Sequence, residues 1–156
     1  MGIESVKNYF RQFNKENEIR ELDISTATVS EAAKALGTMP ALIAKSISLR
    51  KGESAMVVVV AGDMKLDNSK FRSYFGFKAR MLSADEVLKF TGHAIGGVCP
   101  FALPEGVSVY LDVSLQRFKT VFPACGSGNS AIELTMEELN RYSNNIEWID
   151  VCKSIE

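Results

Sequence analysis

The run from Ala55 to Ala61 is apolar at every position and carries Val57-Val58-Val59-Val60 at its centre. β-Branched side chains favour extended backbone, and a strand without polar alternation has to be covered on both faces. The sequence therefore predicts an interior strand with a layer packed on each side. Arg50-Lys51-Gly52-Glu53 reads as the turn that precedes it. Before that turn, an extended segment from Pro40 to Leu49 places Ile43, Lys45, Ile47 and Leu49 on one face. Lys45 interrupts that apolar row. A buried ammonium without a partner costs several kcal/mol, so Lys45 either snorkels to an edge or meets an anion. A helix continuing through Ala44 would remove the anomaly.

The remaining chain mixes both kinds of element. Val6, Phe10 and Phe13 recur at helical spacing, which predicts an N-terminal helix packed by one stripe. Ile19 to Ile24 reads as a short strand. Thr28-Val29-Ser30-Glu31, Ser83-Ala84-Asp85-Glu86 and Thr135-Met136-Glu137-Glu138 fit the capping box, Asp67 or Asn68 can cap a further helix, and Gly37, Gly76 and Gly92 stand where helices should stop. Strands are expected at Phe77–Met81, Val107–Val113, Thr120–Phe122, Ala131–Leu134 and Glu147–Val151. This irregular alternation, without repeat or linker, predicts one α+β domain over 1–156 with a mixed sheet and helices against it.

Composition removes several classes of function. A single histidine and three widely spaced cysteines, Cys99, Cys125 and Cys152, supply neither a zinc site nor a disulfide framework, so no metal and no cofactor is expected. The net charge of −1 argues against wrapping a long nucleic acid, although contact with one end of an acidic molecule is compatible with it. Lys65, Lys70, Arg72, Lys78 and Arg80 form a local basic patch, either a solvated helix face or a phosphate-facing one. No apolar run is long enough for a membrane span, and Met1 to Ser5 lacks the basic and apolar regions of a signal peptide. The cytoplasm is the expected location, with no membrane partner.

Chemistry concentrates in Gly92-His93-Ala94-Ile95-Gly96-Gly97-Val98-Cys99-Pro100-Phe101. Paired glycines allow close approach of backbone to a ligand, and Pro100 fixes the exit path. Such a loop can aim amides at a developing negative charge, or it can simply turn the chain. His93 can cap helix carbonyls or act on a substrate. Pro123 to Ser130, containing Gly126 and Ser127, is a second small-residue loop able to border a pocket. Cys99 with His93 as its base is a further arrangement, weakened by the lack of a third group to orient the imidazole.

Lys45 in Ala44-Lys45-Ser46-Ile47, the Gly92–Phe101 loop, and Ala124-Cys125-Gly126 leading to Ala131-Ile132-Glu133-Leu134-Thr135 together resemble the YbaK and prolyl-tRNA synthetase-associated editing domains, in order and over roughly the whole chain. The resemblance implies a curved, barrel-like mixed sheet around a small pocket. It also implies trans-editing: hydrolysis of the ester joining a small mischarged amino acid to the terminal adenosine of a transfer RNA. On that reading Gly96 and Gly97 are the oxyanion donors and Lys45 holds the terminal phosphate or the carbonyl end. His93, Pro100, Gly126 and Ser127 border the substrate, and the substrate's own ribose hydroxyl serves as base. The partner is the transfer RNA acceptor end, with a synthetase as a further candidate. Relatives often carry serine and aspartate where this chain has Ala124 and Ala131. The alternative is a binding module that holds an aminoacyl-adenosine or an amino acid without cleaving it.

Overall fold

The computed structural model describes residues 2–155. Its centre is a curled six-stranded half-barrel built on the hairpin of β2 (Ile43–Lys51) and β3 (Ser54–Ala61). Gly52, with φ 61°, takes the first place of the two-residue hairpin loop, where a primed turn needs glycine. β3 also pairs in parallel with β5 (Ser108–Asp112), and β5 with β9 (Glu147–Ile149). On the other side β2 pairs in parallel with β6 (Thr120–Pro123), which pairs antiparallel with β8 (Leu134–Thr135). The order is β8-β6-β2-β3-β5-β9. Two small ribbons complete the structure: β1 (Arg20–Glu21) with β7 (Ser130–Ala131), and β4 (Met64–Leu66) with β10 (Cys152–Ser154).

The valine run is interior, for the reason its composition gave. Val57, Val59 and Ala61 face a core shared with Val6 and Phe10 of α1 (Ile3–Arg11), with Phe101, and with Leu139 and Tyr142 of α5 (Met136–Ser143). Met56, Val58 and Val60 face Phe71 of α3 (Asn68–Phe75), Val151 and Cys152. The aromatic rings of Phe10 and Phe101 meet edge to face at 4.8 Å between centroids, fixing the end of the glycine loop against α1.

Caps set the helix ends as their residues require. Ser83 and Glu86 bond each other's backbone at the start of α4 (Ala84–Thr91), and Thr135 and Glu138 do so at α5. Asp67 accepts from the amides of Ser69 and Lys70 at α3. At α2 (Val29–Leu36) only half of the box forms: Thr28 accepts from the Glu31 amide, while the Glu31 carboxylate turns to the hydroxyls of Thr28 and Ser25. Gly37, Gly76 and Gly92 all end helices in the left-handed conformation.

The extended segment expected from Pro40 begins only at Ile43, because Pro40–Leu42 forms a 3-10 turn, and four other expected strands depart further or are missing. Phe77–Met81 is no strand; it touches the sheet at one bridge, Leu49 to Met81, because Phe77 folds back onto Phe71 and Phe75. Ile19–Ile24 shrinks to β1, since its partner β7 is only two residues long. Ala131–Leu134 splits because Ala131 pairs with Arg20 and Ala124 whereas Leu134 pairs with Val121. The last strand ends at Ile149, and the chain then turns to build β10 against β4.

Candidate functional site

The site lies where β2 loses a neighbour. β6 accompanies β2 only through Ile43 and Ala44. At the other end the amide of Arg50 donates to Arg80 O at 2.9 Å and that of Leu82 to Ser48 O at 3.4 Å. Backbone groups of Ser48 and Arg50 therefore point to the outer edge of β2, and the two-residue period of a strand directs those of Ser46 the same way. No strand is paired to that edge at Ser46 among the described residues.

A cavity of about 280 Å³ fills this gap. Its walls come from Thr26 to Leu36, from β2, from the start of α4, from Ile95, Gly96 and Val98 of the glycine loop, and from Phe122, Ala124, Ser130 and Ala131. Most of the lining is apolar. The mouth carries Met81 and Ile95, which are 70% and 68% exposed.

Lys45 lines this cavity, half-buried, in register with Val60. Burial lowers its pKa below the ordinary lysine value, opposed by its electrostatic interaction with Cys152 and Asp63. No ion pair or hydrogen bond to its ammonium is present among the described residues. Asp63, whose charge reaches Lys45 at longer range, is held by Arg117 in a two-pronged pair at 2.6 and 3.1 Å. Lys45 thus belongs to the cavity lining with its ammonium unpaired among the described residues.

The glycine loop is organised by a turn. Gly97 N–H donates to Ala94 O at 3.0 Å and Gly96 has φ 91°, the signature of a type II turn with glycine in its required third place. Gly96 borders the cavity; Gly97 does not, and its amide is committed to Ala94. Gly97 has a different task. An added Cβ would stand 2.7 Å from Ser127 Cα and N and 2.8 Å from Gly126 C, so the two loops touch backbone to backbone there. Gly126, at φ 95°, is pressed in turn against Gly2 and Ile3.

The other anticipated residues stand behind the wall. His93 is fully buried; its Nε2 lies 2.9 Å from Phe101 O, bracing the loop across its width instead of capping α4. Burial keeps its pKa low, and its Nδ1 has no hydrogen-bond partner. Cys99 Sγ does reach His93 Nε2, at 3.6 Å, but it is fully buried and its thiol is pushed up to about 12. A buried thiol that resists ionisation is a poor nucleophile. Pro100 is buried outside the cavity wall, and Ser127 Oγ bonds Asn129 Oδ1 at 2.8 Å and Ser130 Oγ at 2.7 Å. Ala124 and Ala131 pair with each other and both line the cavity, so the two departures from the expected pattern fall on its wall. Ser46, Ser48 and the α2 segment were absent from the sequence-based site. The alternation of Ser46 and Ser48 against Lys45 and Ile47 was the available signal.

The fold and this cavity define the class of protein. Residues 24–142 match the aminoacyl-tRNA editing domain, and the chain belongs to that family. It is 57% identical to the uncharacterized protein YwhH of Bacillus subtilis over the full length of both chains. It is 31% identical to the proline--tRNA ligase of Trichlorobacter lovleyi over 91 residues, 57% of this chain and 16% of that protein. A solved structure described as a proposed trans-editing enzyme for prolyl tRNA synthetase superposes with a TM-score of 0.86 at 28% identity, covering 97% of each chain. Hypothetical protein APE2540 superposes with a TM-score of 0.80 at 27% identity, covering 93% of this chain and 99% of that one. The described helices include none long and apolar enough to cross a membrane, and the described residues include no group of three or more His, Cys, Asp or Glu able to hold a metal.

Proposed function

We propose that this chain is a trans-editing aminoacyl-tRNA deacylase that works in the cytoplasm on the ester of a small mischarged amino acid. The observation that carries the reading is the meeting of Lys45 and Gly96 in one small, mostly apolar cavity of an editing-domain fold. At about 30 Å³ per water-sized group, 280 Å³ holds roughly nine such groups. That suits a small aminoacyl ester with part of its ribose. A second, sieving site of this size is what selectivity for small amino acids requires, since a synthetase pocket rejects a smaller or isosteric substrate only weakly.

In the reaction, water attacks the ester carbonyl, the carbonyl electrons move to oxygen, and collapse of the tetrahedral intermediate expels the ribose oxygen. We assign the oxyanion to Gly96 N–H, because Gly96 is the paired glycine that lines the cavity. Gly97 supports it from behind by seating the turn on Ser127. Lys45 holds the terminal phosphate or the carbonyl end. Among the described residues no carboxylate or imidazole lines the cavity, which agrees with a base supplied by the substrate's neighbouring ribose hydroxyl. Similarity to a short part of proline--tRNA ligases supports prolyl-tRNA synthetase as the associated enzyme and its transfer RNA as the carrier.

The test is deacylation of one transfer RNA mischarged with each of several small amino acids, by wild type and by Lys45→Ala. Rapid release of a subset, lost in the variant, is expected. Tight binding of aminoacyl-adenosine analogues without any release would instead establish the non-catalytic carrier.

A further inference from the structure

Half of the polar side chains in the cavity wall already have partners. Thr28 Oγ1 bonds Glu31 at 3.1 Å, Ser130 Oγ bonds Ser127 at 2.7 Å, and Thr26 Oγ1 reaches Ser130 O at 3.5 Å. Three groups in the lining are left over: the Lys45 ammonium and the hydroxyls of Ser46 and Ser48, both buried and both without a hydrogen-bond partner. Ser48 is only 6% exposed. The two serines sit two residues apart on one face of β2, opposite Val59 and Val57; the strand edge is unpaired at Ser46, while at Ser48 the carbonyl accepts from Leu82 N–H. Apolar Ala44, Leu82, Val87 and Val98 share the lining with them.

A buried hydroxyl without a partner costs about 1–3 kcal/mol, and two neighbouring ones in an otherwise apolar wall are hard to account for by packing. Alanine would fill the same pleat at lower cost. A serine hydroxyl changes direction by rotating between staggered wells, so both can turn toward a group in the cavity. Their chemistry complements a ligand group that both donates and accepts, which a second hydroxyl does.

We propose that Ser46 and Ser48 make this site selective for esters of a β-hydroxy amino acid, threonine or serine, by hydrogen-bonding its side-chain hydroxyl. The proposal rests on the deacylase reading for the position of the ester, and it deepens that reading by naming the side chain accepted. Lys45 then serves the phosphate or carbonyl end while the serine pair reads the opposite end. The energetic logic is asymmetric. An apolar pocket rejects an added hydroxyl weakly, but a pocket whose own polar groups go unpaired rejects the analogue lacking that hydroxyl strongly.

Threonine and valine differ by one hydroxyl at nearly constant shape, so they are the deciding pair. One transfer RNA is charged with threonine, valine, serine or alanine, and kcat/KM for deacylation is measured for wild type, Ser46→Ala, Ser48→Ala and the double variant. Thermal melts check that each variant is folded. In parallel, binding of non-hydrolysable 3′-amide adenosine analogues of threonine and valine to wild type is followed by calorimetry. Threonine should exceed valine by on the order of ten-fold or more in wild type, with the ratio falling toward one in the double variant. Release of valine and alanine as fast as threonine and serine would leave a deacylase and overturn the hydroxyl reading. A ratio unchanged in a folded double variant overturns it as well. If no ester is released but the threonyl analogue binds more tightly, the deacylase reading falls and the selectivity stands. Equal binding without release removes both.

Discussion

Gly97→Ala isolates the contact that seats the glycine loop. The residue has no positive φ, so an alanine there meets no backbone strain, and the whole effect is steric. The new methyl would lie 2.7 Å from Ser127 Cα and N, where ordinary contact begins at 3.4 Å, so the loops must part by 3.4 − 2.7 = 0.7 Å. The three nearest obstructing atoms are all backbone, so no side chain can swing aside to clear them. Overpacking of this kind destabilises by about 1–3 kcal/mol. For a chain of this length each kcal/mol lowers Tm by roughly 2–4 °C, giving a fall of roughly 2–12 °C. Gly96, one residue away, moves with the turn, and a misplacement of about 1 Å at a reacting centre is worth on the order of 100-fold in rate. Differential scanning calorimetry and deacylation kinetics on the same preparation check both arms. Gly106→Ala is the control: Gly106 has φ 95° with open space around it, so its cost is conformational and local. An unchanged Tm and an unchanged kcat/KM in Gly97→Ala would refute the backbone-contact argument.

Three further outcomes follow from burial. Lys45→Met keeps the apolar stem and removes a charge whose folded pKa lies below the ordinary 10.5 through desolvation. The folded protein carries that cost wherever the amine is protonated, so the variant should melt higher at neutral pH, and its advantage should shrink as pH rises toward 10.5; denaturation at several pH values measures the difference. His93 also has a lowered pKa, but there the unfolded chain takes up the proton first, so stability is lost as pH falls below about 6.5; His93→Phe should flatten that acid limb in Tm against pH. All three cysteines are buried with raised pKa values, so iodoacetamide should label none of them in the native protein at neutral pH, and Cys99→Ser should retain deacylation. Rapid native labelling of Cys99 would restore it as a reactive thiol.

The reach of the sequence was set by locality. The doubly covered strand β3, the capping residues that start α2 to α5 and the glycine stops of α2, α3 and α4 were readable from local spacing, whereas the ends of α1 and the Asn144 stop of α5 were not anticipated. The alternation that places Lys45 in a row with Ile43, Ile47 and Leu49 was readable too. The family motifs brought Lys45 and Gly96 to one site although 51 positions separate them (96 − 45 = 51). Strand extents were less legible because a strand ends where its partner ends, as at Arg20–Glu21, and that partner is distant in sequence. Phe77 illustrates the same point: its propensity suits a strand, but the neighbouring aromatic rings of α3 take it instead.

Only the tertiary structure separated roles that look alike in the sequence. Gly96 and Gly97 are adjacent and chemically identical, yet one faces the cavity in a type II turn while the other spends its amide in that turn and presses on Ser127. His93 and Cys99 look reactive in one dimension and are buried bracing groups in three. Ser46 and Ser48 look like ordinary strand residues and turn out to carry unpartnered hydroxyls in the cavity lining. The physical reason is that a sequence lists donors and acceptors, whereas burial and partnership are properties of the whole packing, and these decide which groups remain for a substrate.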